Sequence, residues 1–190
     1  KDYEQAMKFY EESLVIFREM GEKQGIATSL SNLGKVMISA GDFDTAKKNL
    51  EESLKIFREI GDKHGIALSL FGMGNLEFSQ GDFVKAKRLF EECVLIRNEI
   101  GDKSGITESI NKLGIIEYRT GDFVKAIKFL STSEKTFKTF GDVIDKDDKK
   151  LKDETISKLR EKLSDEEFDK YWEEGKNMTM EEAAQLILDI

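Results

Sequence analysis

The sequence predicts an all-α fold, and three observations lead to that prediction. The 190 residues contain no proline, the residue that most strongly interrupts helices and that the turns of β-sandwiches commonly use. Residues recur at an interval of 40 positions through the first 140 residues. Within each interval the apolar residues return every three or four positions, which is the spacing of an amphipathic helix.

Each 40-residue interval contains two helical patterns with glycine between them. After Asp42, an apolar stripe predicts one helix over residues 44–60, and a second stripe predicts another over residues 25–40. Asp42 is suited to cap the first free N–H groups of the helix that follows it, and Gly41 to end the helix before it in a left-handed turn. The short connection should make the two helices antiparallel. The stripes are Ala46, Leu50, Leu54 and Phe57 for the first helix, and Ile26, Leu30, Leu33 and Met37 for the second.

The repeated pattern has the same residue types at the same spacing in three successive rows. The rows read Leu30, Leu33, Gly34, Ala46, Leu50; Leu70, Met73, Gly74, Ala86, Phe90; and Ile110, Leu113, Gly114, Ala126, Leu130. This pattern resembles the tetratricopeptide repeat. The resemblance implies that the glycine of the first helix packs against the alanine of the second, in a right-handed α-solenoid of antiparallel helix pairs. The period is 40 residues instead of 34, and the closing proline is absent. Such long repeats are similar to those in the C-terminal regions of bacterial and archaeal signalling ATPases and transcription regulators.

The register predicts where the repeats lie and where they stop. Residues 1–142 form the repeat region, with a half repeat at 1–24 and full or nearly full repeats at 25–64, 65–104 and 105–142. Residues 143–190 lose the register and are expected to form a C-terminal helical cap, which covers the last core face of a solenoid. Its first helix is predicted over residues 146–163, and capping boxes are predicted at Ser164 with Glu167 and at Thr179 with Glu182. Trp172 is expected to anchor this tail.

The start of the chain is also informative, because Lys1 aligns with Gly41 and the chain therefore opens at the second helix of a repeat. Four residues of this first helix, Ala6, Tyr10, Leu14 and Phe17, form an apolar stripe that is expected to have no upstream partner. Two interpretations stay open at this point. Either more protein precedes this helix, or the helix self-associates and forms a homodimer.

Charge and composition exclude several function classes. Thirty Lys and Arg against 38 Asp and Glu give a net charge of -8, which is opposite in sign to a nucleic-acid-binding surface. One cysteine and one histidine rule out a Cys/His zinc cluster and argue against a cysteine or serine catalytic triad. No apolar run approaches the roughly 20 residues of a membrane-spanning helix, and the N-terminus is not a secretion signal. We therefore expect a cytoplasmic, non-catalytic protein that binds no membrane, nucleic acid, metal or cofactor.

The remaining candidate residues are best explained by structural roles. Cys93 aligns with three serines in the other repeats and is predicted to fill the core. His64 falls in the turn between repeats and is expected to be exposed. The run Asp145, Asp147 and Asp148 suggests a calcium loop, but the turn glycine and the bidentate glutamate of such a loop are missing.

The resemblance implies that the first helix of each pair lines a concave groove that binds peptides or helices of partner proteins. Carried over by position, the candidate groove residues mix apolar, amide and basic side chains. The apolar ones could bury against a partner helix, or they could pack within the protein itself; both interpretations stay open. The candidates are Asn32, Lys35, Leu68, Phe71, Asn75, Phe78, Asn111, Lys112, Tyr118 and Arg119.

Two functions follow as hypotheses. The first is a non-catalytic scaffold that binds a protein or peptide in the groove. The alternative is a regulatory or sensor fragment of a larger signalling ATPase or transcription regulator, in which the groove binds another part of the same polypeptide.

Overall fold

The computed structural model describes residues 3–141 and 144–188, and these residues form ten helices and no strand. We call α2, α4 and α6 the A helices, α1, α3, α5 and α7 the B helices, and α8 to α10 the tail helices. The predicted boundary between repeats and cap, at residues 142 and 143, lies outside the described residues. The helices are α1 (Tyr3–Met20), α2 (Lys23–Ala40), α3 (Phe43–Ile60), α4 (Lys63–Gln80), α5 (Phe83–Glu99), α6 (Lys103–Thr120), α7 (Phe123–Phe140), α8 (Lys146–Arg160), α9 (Asp165–Asn177) and α10 (Met180–Leu188).

The predicted stop and cap signals are confirmed at the turn between α2 and α3. Gly41 has a φ of 85°, which is the left-handed conformation that glycine adopts without strain, and its N–H donates to the Ile38 carbonyl. The Asp42 carboxylate then accepts the N–H of Thr45 at 3.2 Å. Hydrogen bonds from Thr45 hold the pKa of Asp42 below its ordinary value. Helix boundaries therefore follow local signals in the sequence.

The glycine within each A helix allows its B helix to approach closely. A Cβ placed at Gly34 would come within 2.6 Å of the Leu50 side chain and 3.3 Å of the Ala46 carbonyl oxygen. At Gly74 the same hypothetical atom would meet Phe90 at 2.8 Å. The resemblance implies that each glycine packs against the alanine of the B helix. The glycine meets mainly the bulky residue four positions after that alanine, which is Leu50 in α3 and Phe90 in α5. This close contact offsets the helix-destabilising cost of about 1 kcal/mol for each glycine.

The chain divides into two compact units, Lys1–Ile96 and Arg97–Ile190. In the first unit, Leu14 of α1 is buried in a core with Leu30, Leu33 and Leu50, and Tyr10 packs against the same core. The stripe that the sequence predicts to lack an upstream partner is therefore covered from the other side, by α2. The exposed apolar residues of α1 lie on a different face of that helix.

In the second unit, α6 and α7 pack against each other and carry the three tail helices. The most extensive tail contact is between α7 and α9, while α8 and α10 each contact both α6 and α7. The helix predicted over residues 146–163 ends at Arg160. It is shorter because residues 161–163 turn the chain toward Ser164, which forms the predicted capping box with Glu167 at the start of α9.

Candidate protein-binding face

Six of the ten predicted groove residues lie on two neighbouring A helices of the first unit. Helices α2 and α4 are in contact, and every one of these six side chains is half-buried. We call this surface the A-helix face of unit 1. Its residues are Asn32, Lys35, Leu68, Phe71, Asn75 and Phe78.

The two phenylalanines of this face also contact α5. The ring of Phe71 lies edge-on to Phe90 with centroids 5.3 Å apart, and the ring of Phe78 lies edge-on to Phe83 at 5.4 Å. Edge-to-face pairs of this kind stabilise a fold beyond the area that they bury. Part of each ring therefore serves internal packing, and part remains exposed.

The four predicted groove residues of the second unit are arranged differently. Asn111 is 1% exposed, and its side-chain oxygen accepts a hydrogen bond from Ser133 at 3.4 Å. Lys112 is 7% exposed, and its ammonium group lies 2.6 Å from the carboxylate of Asp148 on α8. Tyr118 is half-buried beside Phe123, and Arg119 is exposed. The structure does not bring these four residues together in one open face.

The tail docks on α7 through small residues and backbone carbonyls. The hydroxyl of Ser131 donates to the Trp172 carbonyl at 2.6 Å, and that of Thr132 donates to the Gly175 carbonyl at 2.8 Å. A Cβ at Gly175 would lie 2.6 Å from the Cα of Lys128, so only glycine allows this approach. Trp172 is half-buried and stacks on Phe168 within α9; its role as an anchor of the tail stays a prediction.

Ion pairs add to the docking of the tail. Lys128 on α7 lies 2.8 Å from Glu174 on α9, and its hydrogen bond holds the pKa of Glu174 below the ordinary value. Lys152 on α8 lies 3.4 Å from Glu134 on α7. Burial alone would raise the pKa of Glu134, but the hydrogen bond from Lys138 and the charge of Lys152 outweigh it and lower that pKa.

Sequence reasoning missed Arg97, a buried cation in the last turn of α5. Its side chain is 6% exposed, and its guanidinium donates to the Gly105 carbonyl and, at 3.1 Å, to the hydroxyl of Ser109. Asp102 lies 3.6 Å away and supplies a negative charge. The signal was present in the repeat, because the equivalent position one period earlier holds Phe57. A break of this kind in an otherwise apolar register marks a polar cluster.

The other singled-out residues have structural roles. Cys93 is fully buried, as predicted, and its thiol donates to the Ala67 carbonyl at 3.3 Å. His64 is exposed near the start of α4. Asp145 caps α8 by accepting the N–H of Asp147. Within residues 3–141 and 144–188, no cluster of three or more His, Cys, Asp or Glu is placed to hold a metal.

Across the part of the chain that the structure describes, no helix combines the length and the apolar character needed to cross a bilayer.

Three comparisons place this arrangement among known proteins. A family model of the tetratricopeptide repeat matches residues 1–59 and 65–139. A search of the curated proteins finds no match. Among solved structures, BtubC (BKLC) from P. vanneervenii is similar, with a TM-score of 0.69 and 17% identity over 93% of this chain and 72% of that one.

Two further solved structures are similar to the chain. Aspartyl phosphate phosphatase F from Bacillus subtilis has a TM-score of 0.67 and 14% identity; this chain is covered to 100% and spans 56% of that protein. A Podospora anserina protein assigned to the kinesin light chains, with nearly identical TPR-like repeats, has a TM-score of 0.59 and 14% identity over 98% of this chain and 87% of that one. At these identities the likeness concerns the fold alone. Because the family model covers well over half of the sequence, the chain belongs to the tetratricopeptide repeat family, whose all-α solenoid is generally a non-catalytic scaffold for protein interaction.

Proposed function

We propose that this chain binds a protein or peptide through the A-helix face of unit 1, which corresponds to the concave groove of the family. The observation that carries the proposal is that all six predicted residues of this face lie on two neighbouring helices and remain half-exposed. The net charge of -8 favours a protein partner over a nucleic acid. In this proposal the chain acts in the cytoplasm and carries out no catalytic step.

The chemistry of the face suggests what kind of segment it binds. Leu68 and the exposed parts of Phe71 and Phe78 offer apolar area, which contributes roughly 25 cal/mol per Å² when it is removed from water. The amides of Asn32 and Asn75 can each donate and accept hydrogen bonds, as a bound peptide backbone or a polar side chain requires. An amphipathic helix or an extended segment with regularly spaced apolar residues fits this mixture.

Site-specific photo-crosslinking tests the proposal without disturbing the core. A photoreactive residue is placed at Leu68 on the face, and a matched one at Lys47, which is exposed on α3. Phe71 and Phe78 are left unchanged because both pack against α5. We expect a protein partner to be captured from position 68 and not from position 47, and the double variant Lys35→Glu/Asn75→Ala to reduce capture. Equal capture from both positions, or capture from neither, would contradict the proposal.

The alternative function is a regulatory or sensor fragment of a larger signalling ATPase or transcription regulator. The pairing of Lys112 on α6 with Asp148 on α8 favours it, since the chain already binds one of its own helices to an A helix. In this case the A-helix face of unit 1 would bind a segment of the same polypeptide. The same crosslinker at Leu68, introduced into the full gene product, would then form an intramolecular crosslink and capture no separate protein.

A further inference from the structure

Helix α7 differs from the other B helices at two positions that lie eight residues apart. In α1, α3 and α5 both positions hold glutamate, whereas α7 has a hydroxyl residue at each. The repeat has therefore lost two negative charges from α7. The glutamates are Glu11, Glu51 and Glu91 at the first position and Glu19, Glu59 and Glu99 at the second, and the residues of α7 are Ser131 and Thr139.

The docking of the tail explains only one of these two changes. Ser131 donates to the Trp172 carbonyl of α9 at 2.6 Å, so this position needs a short side chain. Thr139 is exposed, and its hydroxyl donates to the Lys135 carbonyl of its own helix at 2.8 Å. The hydrogen bonds of the tail therefore do not account for the missing glutamate at position 139.

A cleft of about 290 Å³ lies between this side of α7 and α9, and we call it the α7–α9 cleft. Three lysines and one glutamate line it, which is a net charge of +2 in a chain whose net charge is -8. The equivalent residues of α3 also line a cleft, but its two glutamates balance Lys55 and Arg58. The residues that line the α7–α9 cleft are Ser131, Glu134, Lys135, Lys138, Thr139, Trp172 and Lys176.

The single carboxylate of the cleft has a second partner outside it. One oxygen of Glu134 lies 2.7 Å from Lys138, and the other lies 3.4 Å from Lys152 of α8, whose side chain is 7% exposed. The side chain of Lys138 is 75% exposed, and exposed ion pairs contribute little stability. An anion in the cleft can therefore bind the Lys138 ammonium group while Lys152 still pairs with Glu134.

The other two lysines are also accessible. Lys176 is exposed and pairs with Glu173 of its own helix at 2.9 Å, which is again a surface ion pair. Lys135 is exposed, and its ammonium group forms no ion pair with any residue that the structure describes. The cleft thus has more positive charge than its own carboxylate neutralises.

Trp172 adds an aromatic surface to these charges. It is half-buried and stacks on Phe168 with ring centroids 5.5 Å apart. The cleft is close to the lower limit of ligand pockets, which is about 300 Å³, so its ligand must be small. Ammonium groups beside an aromatic side chain favour an anion that carries a ring.

We propose that the α7–α9 cleft binds a small aromatic phosphate monoester. Lys135, Lys138 and Lys176 bind the phosphate group, and the ring lies against Trp172. A phosphate monoester has a charge of about -1.5 to -2 near neutral pH, which matches the charge of the cleft, and lysine binds phosphate as a point charge. The cleft is separate from the A-helix face of unit 1, and the proposal does not depend on the function proposed above.

Isothermal titration calorimetry of the full chain with phenyl phosphate tests the proposal, in a buffer of low ionic strength because salt screens exposed charges. We expect saturable binding at one site, with a change in the emission of Trp172, the only tryptophan. Inorganic phosphate should bind at least about threefold more weakly, because it has no ring to contact Trp172.

The first variant removes one positive charge from the cleft. Lys135→Ala should weaken the binding of phenyl phosphate by about fivefold or more, because a charged donor to the phosphate is lost. Lys55→Ala is the matched control, since Lys55 holds the equivalent position of α3 in the charge-balanced cleft. It should change the affinity by less than about twofold.

The second variant restores the glutamate that the other B helices carry. Thr139→Glu should weaken binding by about tenfold or more, because it places a negative charge beside the phosphate. Thr28→Glu is its control, since Thr28 is exposed on α2 and also donates to the carbonyl four residues before it, at 2.9 Å. Circular dichroism and the emission of Trp172 without ligand first verify that each variant is folded with α9 docked.

The proposal is overturned if phenyl phosphate shows no saturable binding, or if each cleft variant loses no more affinity than its control. Equal affinities for phenyl phosphate and inorganic phosphate would contradict the contact with Trp172. A phosphotyrosine peptide provides the last comparison, because a protein can carry the same chemical group. If the peptide binds at least about tenfold more tightly than phenyl phosphate and Lys135→Ala weakens it, the cleft binds a phosphorylated protein segment instead of a small molecule.

Discussion

The two units use the same repeat in different ways. In unit 1 the residues predicted to line the groove are half-exposed on α2 and α4, whereas in unit 2 residues 105–117 of α6 are buried with the single exception of Glu108. The difference comes from the tail, because α8 and α10 both contact α6. An A helix of this chain therefore keeps a half-exposed face only where no other helix of the chain covers it.

A buried position near the end of the B helices also differs between the two units. In unit 1, Phe57 is 1% exposed and packs against Gly65. In unit 2, Arg97 holds the equivalent position beside Gly105 and is 5% exposed. A buried guanidinium is tolerated there because a carbonyl, a hydroxyl and the carboxylate of Asp102 surround it. The same backbone position therefore accepts an apolar or a charged residue according to its neighbours.

The largest expected effect is on the free energy of unfolding when these two buried residues are truncated. Phe57→Ala should lower the free energy of unfolding by about 3–5 kcal/mol, as is typical for truncating a fully buried phenylalanine. Arg97→Ala should lower it by about 2 kcal/mol, because the Gly105 carbonyl and the Ser109 hydroxyl lose hydrogen bonds from a charged donor. Urea unfolding measures both. A larger loss for Arg97→Ala would show that the polar cluster contributes more than the aromatic contact.

The docking of α9 provides the next test. Gly175→Leu should displace α9 from α7, because the added side chain would meet the backbone of Lys128; we expect a loss of about 1–3 kcal/mol. Trp172 is the only tryptophan, so its fluorescence should shift to longer wavelength as it enters water. Asn177→Leu, at an exposed position of the same helix, should leave the emission unchanged. If both variants keep the wild-type emission, the close contact at Gly175 does not hold α9.

Helix α8 should pack less stably on α6 when the ion pair between Lys112 and Asp148 is removed. Lys112→Met deletes the partner of Asp148 and should destabilise α8 by about 1–2 kcal/mol. Hydrogen exchange of residues 146–160 should become faster, while that of α2 and α4 should not change. Lys103→Met removes an exposed lysine from the same helix and serves as the control. Equal protection of α8 in both variants would mean that apolar contacts alone keep it in place.

The smallest expected effect is on the pH dependence of the tail. The pKa of Glu174 is lowered in the folded chain by Lys128, so this pair stabilises the docked tail above the ordinary glutamate pKa of about 4.3. The contribution is lost as the pH falls through the lowered pKa of Glu174. Trp172 emission should therefore begin to shift below about pH 4.3, and Glu174→Gln should make this shift less steep. An identical acid profile for the variant would exclude Glu174 as the group responsible.

Much of the fold could be predicted from the sequence. The helices over residues 25–40 and 44–60, the left-handed Gly41, the Asp42 cap and the capping boxes at Ser164 and Thr179 all agree with the structure. Six of the candidate groove residues lie on the neighbouring helices α2 and α4, and their role in binding stays a prediction. No upstream partner was predicted for the stripe on the first helix; its residues Leu14 and Phe17 pack against α2, the next helix along the chain.

By itself, the sequence determined the repeat, the boundaries of its helices and the small residues that let them approach. These features depend on signals within one helix or on a strict 40-residue period. The packing of the helices determines that Lys112 is covered while Lys35 is half-exposed, and that Arg97 has buried polar partners. Burial depends on partners distant in sequence, such as Asp148, 36 residues from Lys112, and Gly175, 43 residues from Thr132. No local pattern specifies those contacts, because they form only when the helices pack.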